Sequence, residues 1–288
     1  MTRAAIDIGS NSIRLLIVDD AGAEIVREQT VTGLGRGVDS TRRLPAAAVE
    51  QTVAVLEDYH RRCEAHGVNQ LTAVATSATR DADDRDGFLD RAATALGVRP
   101  TVISGSEEAE LAFMGATAGR TDECVVVDIG GGSTEFVYRA DGIEALSIDI
   151  GSVRLTDRLL PNRPASYEEL ETASEHVGGL FEDVDVPDDR AVIGVAGTWT
   201  SLAAILAGDA AVHGSVIDRL TADRLLVRLA ALSVEETARL PGLDPARAPV
   251  ILGGAVIARE AMRRLQASDV TVSERDLLDG VVAGLRPL

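Results

Sequence analysis

Val127-Asp128-Ile129-Gly130-Gly131-Gly132-Ser133-Thr134-Glu135-Phe136 decides the fold, because an earlier segment repeats its plan. Ala5-Ile6-Asp7-Ile8-Gly9-Ser10-Asn11-Ser12 lies on it when Asp7 is set against Asp128. Each copy has an apolar run before Asp-Ile-Gly and a serine five residues after the aspartate, Ser12 or Ser133. Each then returns as an apolar strand, Ile13 to Val18 in one copy and Glu135 to Tyr138 in the other. Each reaches an Asp/Gly turn, at 19–22 and at 141–142, and a third strand follows near 24–30 and 143–148. Strand, glycine turn, strand, turn, strand is the start of an antiparallel meander. The repeat is too long for a solenoid and fits two related domains that open with the same hairpin.

Outward from these hairpins the pattern alternates. Apolar residues at helical spacing (Val49, Val53, Leu56, Tyr59) predict a helix over 46–65. Residues 71–75 and 101–103 read as strands, and 88–96 and 106–116 as helices. Gly119-Arg120-Thr121-Asp122 reads as the connection and hinge. In the second half, helices are expected over 167–180, 199–206, 223–231, 249–265 and 274–284, and strands over 191–195 and 269–273. The acidic patch 182–189 reads as a loop. The expected class is α/β, with domains over 1–118 and 119–288, the last helix being free to pack back on the first domain.

Composition excludes several chemistries. The 288 residues contain no lysine, so all 28 basic residues are arginine. A P-loop, a protein kinase and a pyridoxal enzyme each need a lysine, so phosphate chemistry here rests on backbone amides, arginine and metal. His60, His66, His176 and His213 lack zinc-ligand spacing. Cys63 and Cys124 form no Cys-x-x-Cys and read as buried free thiols. The formal net charge of −18 disfavours nucleic acid as a partner. No apolar run is long enough to span a membrane, and an acid at position 7 argues against a signal peptide. The expected location is the cytoplasm.

Glycine turns let backbone N–H groups converge on an anion. Gly130, Gly131, Gly132, Ser133 and Thr134 supply such donors and two hydroxyls. An aspartate repels phosphate directly but holds Mg²⁺ through water, and the metal bridges to phosphate oxygens. Asp7 and Asp128 therefore read as metal or water organisers. The alternative is a pair of tight hairpins that use Asp and Gly for turn geometry alone.

Seven segments resemble the exopolyphosphatase / guanosine pentaphosphate phosphatase (Ppx/GppA) family of the actin-like ATPase superfamily. They are AIDIGSNSIRLLI (5–17), ATSATRDA (75–82), ISGSEEAELAFMG (103–115), VVDIGGGSTEF (126–136), DIGSVRLTD (149–157), GVAGTWTSLAA (194–204) and SERDLLDG (273–280). They follow the family's order from end to end, and the length resembles a short, two-domain member. The resemblance implies two ribonuclease H-like (actin-like ATPase) domains with an interdomain cleft. It also implies Mg²⁺-dependent hydrolysis of the terminal phosphate of polyphosphate, with Mn²⁺ as a substitute cation. The alternatives it leaves are pppGpp, the stringent-response nucleotide, or a nucleoside triphosphate as substrate, or a non-catalytic polyphosphate- or nucleotide-binding regulator. A homodimer is compatible with it.

The resemblance also places site residues. Glu108, the second glutamate of Ser-Gly-Ser-Glu-Glu-Ala, orients or deprotonates the attacking water. Without the resemblance, Glu107, Glu108 and Glu110 read as acids at a helix N-terminus, with Ser104 and Glu107 forming a capping box. Arg80 is the arginine for the reacting phosphoryl group. Asp128 holds Mg²⁺ with Asp7 and Glu135 nearby, and Gly9, Ser10, Asn11 and Gly130 to Thr134 contact phosphate. Arg14 either contacts phosphate or faces solvent. Arg36 and Arg154 match positions for distal phosphates. Gly197 and Thr198 form either an anion-binding loop before a helix or a tight strand–helix junction. Trp199 reads as a packing residue. Many relatives have Gly-Leu-Arg-Glu-Gly where this chain has Asp276-Leu277-Leu278-Asp279-Gly280, which removes a distal basic contact.

Overall fold

The computed structural model describes residues 1–187, 189–209 and 211–285. The chain divides into two units. The first comprises Met1–Gly115 and the segment that starts at Arg275; the second comprises Ala116–Glu274. The division expected after residue 118 thus falls three residues earlier, and the C-terminal segment belongs to unit 1.

Unit 1 contains β1 (Thr2–Ile8), β2 (Ser12–Val18), β3 (Glu24–Val31), α1 (Val38–Thr41), α2 (Ala46–Ala65), β4 (Val68–Ala75), α3 (Ser77–Asp81), α4 (Arg85–Leu96), β5 (Thr101–Val102) and α5 (Gly105–Ala116). Its sheet has the order β3-β2-β1-β4-β5. The first three strands are antiparallel, and β4 and β5 run parallel to β1. That is a ribonuclease H-like arrangement. Side chains of a strand alternate between faces. Ala4, Ile6, Ile8, Ile13, Leu15 and Ile17 therefore join one buried cluster, which also holds Leu56 and Tyr59 of α2 and Phe88 and Leu89 of α4. Ala5, Leu16 and Val18 point the other way and meet Ala112 of α5 and Leu277, Leu278, Val281 and Val282. The last four belong to α12 (Leu277–Gly284), the final helix of the chain.

Unit 2 repeats the plan with β6 (Cys124–Ile129), β7 (Thr134–Arg139), β8 (Ile143–Ile148), α6 (Ser152–Leu159), α7 (Tyr167–Leu180), β9 (Ala191–Val195) and α8 (Ala196–Ala207). It continues with β10 (Val216–Asp218), α9 (Arg219–Ala230), α10 (Val234–Thr237), a 3₁₀ turn (Pro245–Arg247), α11 (Ile251–Arg264) and β11 (Asp269–Val272). Its sheet order is β10-β11-β9-β6-β7-β8. The β6-β7-β8 meander is antiparallel, and β9 runs parallel to β6 as β4 does to β1. Trp199 is fully buried in this core, and its ring lies against Gly194, where a Cβ would sit 2.6 Å from Cγ.

The helices expected at 46–65 and 167–180 have those limits. Helix α8 starts three residues earlier than expected, which places Gly197 and Thr198 in its first turn. The helices α3 and α6 are additions to the expected elements. Both are short, and their first N–H groups are held by distant residues, so no local periodicity announces them. Ala78 N donates to Ser10 Oγ at 3.1 Å, and Ser152 N donates to Gly130 O at 3.0 Å. Cys63 and Cys124 are buried free thiols, and burial pushes the Cys63 thiol up to about 11. No described helix is long and apolar enough to cross a membrane.

Candidate active site

In unit 1, β1 and β2 pair so that Asp7 faces Arg14 across the ladder. Arg14 Nε and Nη2 both donate to Asp7 Oδ2, at 2.9 and 2.7 Å. Arg14 Nη1 donates to Asp276 Oδ2 at the start of α12. The Asp276 carboxylate is also the cap of that helix, since its Oδ1 accepts from Leu278 N at 3.0 Å. Arg14 is therefore engaged by two aspartates and is largely buried. Asp7 is 3% exposed, and its Oδ1 has no hydrogen-bond partner. Burial raises the Asp7 carboxyl above the ordinary range, and Arg14 pulls against that rise.

The turn between these strands is tight. Gly9 N donates to Ser12 O at 3.1 Å, and a Cβ on Gly9 would lie 3.0 Å from the same oxygen. Ser10 serves the fold: its carbonyl accepts from Gly35 N and its hydroxyl oxygen caps α3. Asn11 is different. Its carbonyl accepts from Thr32 N and Gly33 N, but its side-chain amide is buried and neither Oδ1 nor Nδ2 has a partner. A buried amide with no partner is costly. Asn11 Nδ2 and Asp7 Oδ1 are thus a donor and an acceptor left open by the hairpin. Arg36 is exposed and folds over Gly33, whose added Cβ would lie 2.8 Å from Arg36 Nε.

The same unit brings Arg80 and Glu108 together. Arg80 ends the short α3, and its Nη1 donates to Ile103 O at 3.0 Å and approaches Glu108 Oε2 at 3.4 Å. The Glu108 side chain is 14% exposed. Glu107 beside it is the capping residue expected from sequence: it accepts from Ser104 N at 2.8 Å, while Ser104 Oγ accepts from Glu107 N at 3.2 Å. Those hydrogen bonds hold the Glu107 carboxyl below its usual value. Of two adjacent glutamates, one completes the helix and the other meets an arginine.

In unit 2 the equivalent register sets Asp128 opposite Glu135, and β8 sets Ser147 opposite Glu135. Asp128 is 5% exposed and Glu135 is 1% exposed. Ser147 Oγ donates to Glu135 Oε1 at 2.7 Å. Two carboxylates directly across a ladder repel unless a cation or a proton sits with them. The pair has the hard oxygen donors that a divalent cation accepts. Among the described residues no group of three or more His, Cys, Asp or Glu side chains could hold a metal. Of the expected set, Asp128 and Glu135 lie side by side in unit 2, and Asp7 in unit 1 pairs with Arg14.

The glycine loop after β6 is partly engaged by the fold. Gly130 O and Gly131 O accept the first N–H groups of α6, from Ser152, Val153 and Arg154. Gly151 packs on this loop so closely that a Cβ would fall 2.5 Å from Gly132 N. Ser133 is buried. The Thr134 hydroxyl donates to Ile150 O at 2.6 Å in the interior, so it is not a free phosphate contact. Arg154 lies half-buried in the first turn of α6. The first turn of α8 is covered: the Arg247 guanidinium lies where a Cβ of Gly197 would be, and Thr198 is buried against Gly254. The tight-junction reading of 194–198 is the one this geometry supports. Ala196 begins α8 at φ 65, a conformation a non-glycine residue seldom adopts.

A model of the Ppx/GppA phosphatase family matches residues 16–287. The chain belongs to the Ppx/GppA phosphatase family. It is 38% identical to Exopolyphosphatase 2 of Mycobacterium tuberculosis (strain H37Rv), over 98% of each chain. Among solved structures it resembles an exopolyphosphatase-like protein at a TM-score of 0.93 and 34% identity, covering 99% of this chain and 98% of the other. A Ppx/GppA phosphatase of Aquifex aeolicus matches at a TM-score of 0.76 and 31% identity, covering 99% and 100%. The membership makes this chain a hydrolase of the Ppx/GppA class. Sequence reasoning missed Asp276 as a partner of Arg14.

Proposed function

We propose that this Ppx/GppA chain is an exopolyphosphatase that releases orthophosphate from the end of inorganic polyphosphate. The observation that carries the reading is the Arg80–Glu108 contact at 3.4 Å. It is supported by 38% identity over nearly the whole chain to a protein named as an exopolyphosphatase. A phosphoanhydride bond is broken by water: a water oxygen bonds to the terminal phosphorus, and the bridging oxygen leaves with the shortened chain. Glu108 holds the attacking water and accepts its proton. Glu108 need not be a strong base, because a loose phosphoryl transition state needs positioning more than basicity. Arg80 takes up charge on the transferring oxygens.

In unit 2, Asp128 and Glu135 are the residues that would hold Mg²⁺, which neutralises phosphate charge and fixes its geometry when bound. The N–H groups of Gly131 and Gly132 are backbone donors for an anion. The rival substrate is pppGpp.

Orthophosphate release from polyphosphate, pppGpp and ATP, with and without Mg²⁺, tests the reading. Polyphosphate is expected to be the best substrate, and Glu108→Gln is expected to lower kcat about a hundredfold or more. Faster release from pppGpp would replace the substrate, and an unchanged Glu108→Gln would remove the assigned role. Binding without turnover of all three would make the chain a regulator.

A further inference from the structure

We propose that Asp276 is a positioning residue for the Asp7 end of the site, acting through Arg14. Asp7 presents one carboxylate oxygen, Oδ1, with no partner, while its other oxygen takes two nitrogens of Arg14. An arginine held by a single acid can pivot about it. Here the third nitrogen, Nη1, is held by Asp276. Two acids on one guanidinium fix its plane, and that plane fixes which oxygen of Asp7 stays open.

Charge supports the same role. Asp7 and Arg14 alone sum to zero, whereas Asp7, Arg14 and Asp276 carry one excess negative charge. The open Asp7 oxygen therefore faces a net negative cluster, which favours a hydrogen-bond donor such as water or a hydrated cation there although an arginine lies beside it. The side chains are 5, 14 and 7% exposed, so solvent does little to screen the charge.

Asp276 is itself held in place. Its N–H donates to Asp279 Oδ2 at 2.9 Å, and Asp279 takes Arg27 Nη2 of β3 at 2.8 Å. Helix α5, which carries Glu108, packs on the same segment through two glycines. A Cβ on Gly115 would fall on the Asp276 carbonyl, and one on Gly280 would fall on that of Leu111. Helix α12 thus borders both the Asp7 hairpin and the Glu108 helix within unit 1.

The inference rests on the proposed hydrolase reading, and the experiment separates the two. Asp276→Ser keeps a helix cap but is too short to hold Arg14. Asp276→Glu keeps both carboxylate oxygens, one for the cap and one for Arg14. Asp218→Ala removes the cap of α9 in unit 2 and serves as a control for lost capping. With polyphosphate as substrate, Asp276→Ser is expected to lower kcat about tenfold with KM held within about twofold. Asp276→Glu is expected to recover part of that loss, and Asp218→Ala to leave kcat unchanged. Full kcat in Asp276→Ser, or a change in KM alone, would reduce Asp276 to a cap and overturn the inference. If the wild-type chain releases no orthophosphate from any substrate, the hydrolase reading falls. Hydrogen exchange at Arg14 Nε–H, followed by NMR on the intact chain, then decides the inference. Faster exchange in Asp276→Ser supports it, and an unchanged rate overturns it.

Discussion

The two hairpins share a plan and differ in one residue of the ladder. Asp7 faces Arg14 across β1 and β2, whereas Asp128 faces Glu135 across β6 and β7. The first pair is internally neutral and tied to a third group, Asp276. The second places two buried acids side by side. The first hairpin sets a guanidinium across from its aspartate, and the second sets a carboxylate there. The echo Asp-Ile-Gly, so similar in sequence, hides this difference, because its meaning lies in the residue opposite the aspartate.

Installing the first hairpin's solution in the second should break the difference most severely. Glu135→Arg gives Asp128 a guanidinium partner and is expected to lower the Mg²⁺-dependent rate about a thousandfold. Glu135→Gln, of nearly the same size, is expected to retain the fold and to raise the Mg²⁺ concentration needed for half-maximal rate. Rates at several Mg²⁺ concentrations, with a melting curve for each variant, test the point. Full activity of Glu135→Arg would show that this acid pair holds no cation.

The reverse change removes the first hairpin's guanidinium. Arg14→Ala leaves Asp7 and Asp276 buried without their base. Breaking a buried ion pair from one side costs about 3 kcal/mol or more. The midpoint in urea is expected to fall with an unchanged slope. Arg14→Ala combined with Asp7→Asn should lose less than Arg14→Ala alone, because no uncompensated charge remains on Asp7.

These pairs also show where sequence reading stops. Helix α2 and the two meanders are legible because their apolar periodicity is local. Glu108 and Arg80, expected only through the family resemblance, do lie together. The α3 and α6 helices are not legible, since Ser10 and the glycine-loop carbonyls that hold their first turns lie on other segments. The engagement of Thr134 with Ile150 and the cover of Arg247 over Gly197 are likewise properties of packing. In sequence, Asp276 and Asp279 read only as acids near the start of the closing helix. In the fold they supply acids to Arg14 and Arg27, 262 and 252 residues away.

A smaller effect is expected where α5 and α12 meet. Gly280→Ala places a methyl group on the Leu111 backbone, which cannot swing aside as a side chain can. Overpacking of this kind costs about 1–3 kcal/mol. Gly142→Ala, where nothing lies within 4 Å, is the matched substitution in unit 2. Equal melting temperatures for the two variants would contradict the close approach.

The smallest expected effect is a pH slope, and it belongs to unit 1. Burial raises the Asp279 carboxyl above the ordinary value of 3.8, while Arg27 pulls it back. A carboxyl raised in the folded state holds its proton where the unfolded chain has lost it. Its contribution is present below 3.8 and is lost as pH climbs through the raised value, so stability falls with rising pH across that window. Asp279→Asn carries no such titration, and its stability should therefore vary less between the ordinary carboxylate range and neutrality. Urea titrations at steps of pH compare the slopes of wild type and variant. Asp7 is raised for the same first reason, so part of the wild-type slope should survive in Asp279→Asn and should disappear when Asp7→Asn is added. A slope unaffected by either change would mean that the buried acids of the Arg14 and Arg27 network keep their ordinary affinity for protons. The contrast between an internally neutralised hairpin and an acidic one would then be weaker than the geometry implies.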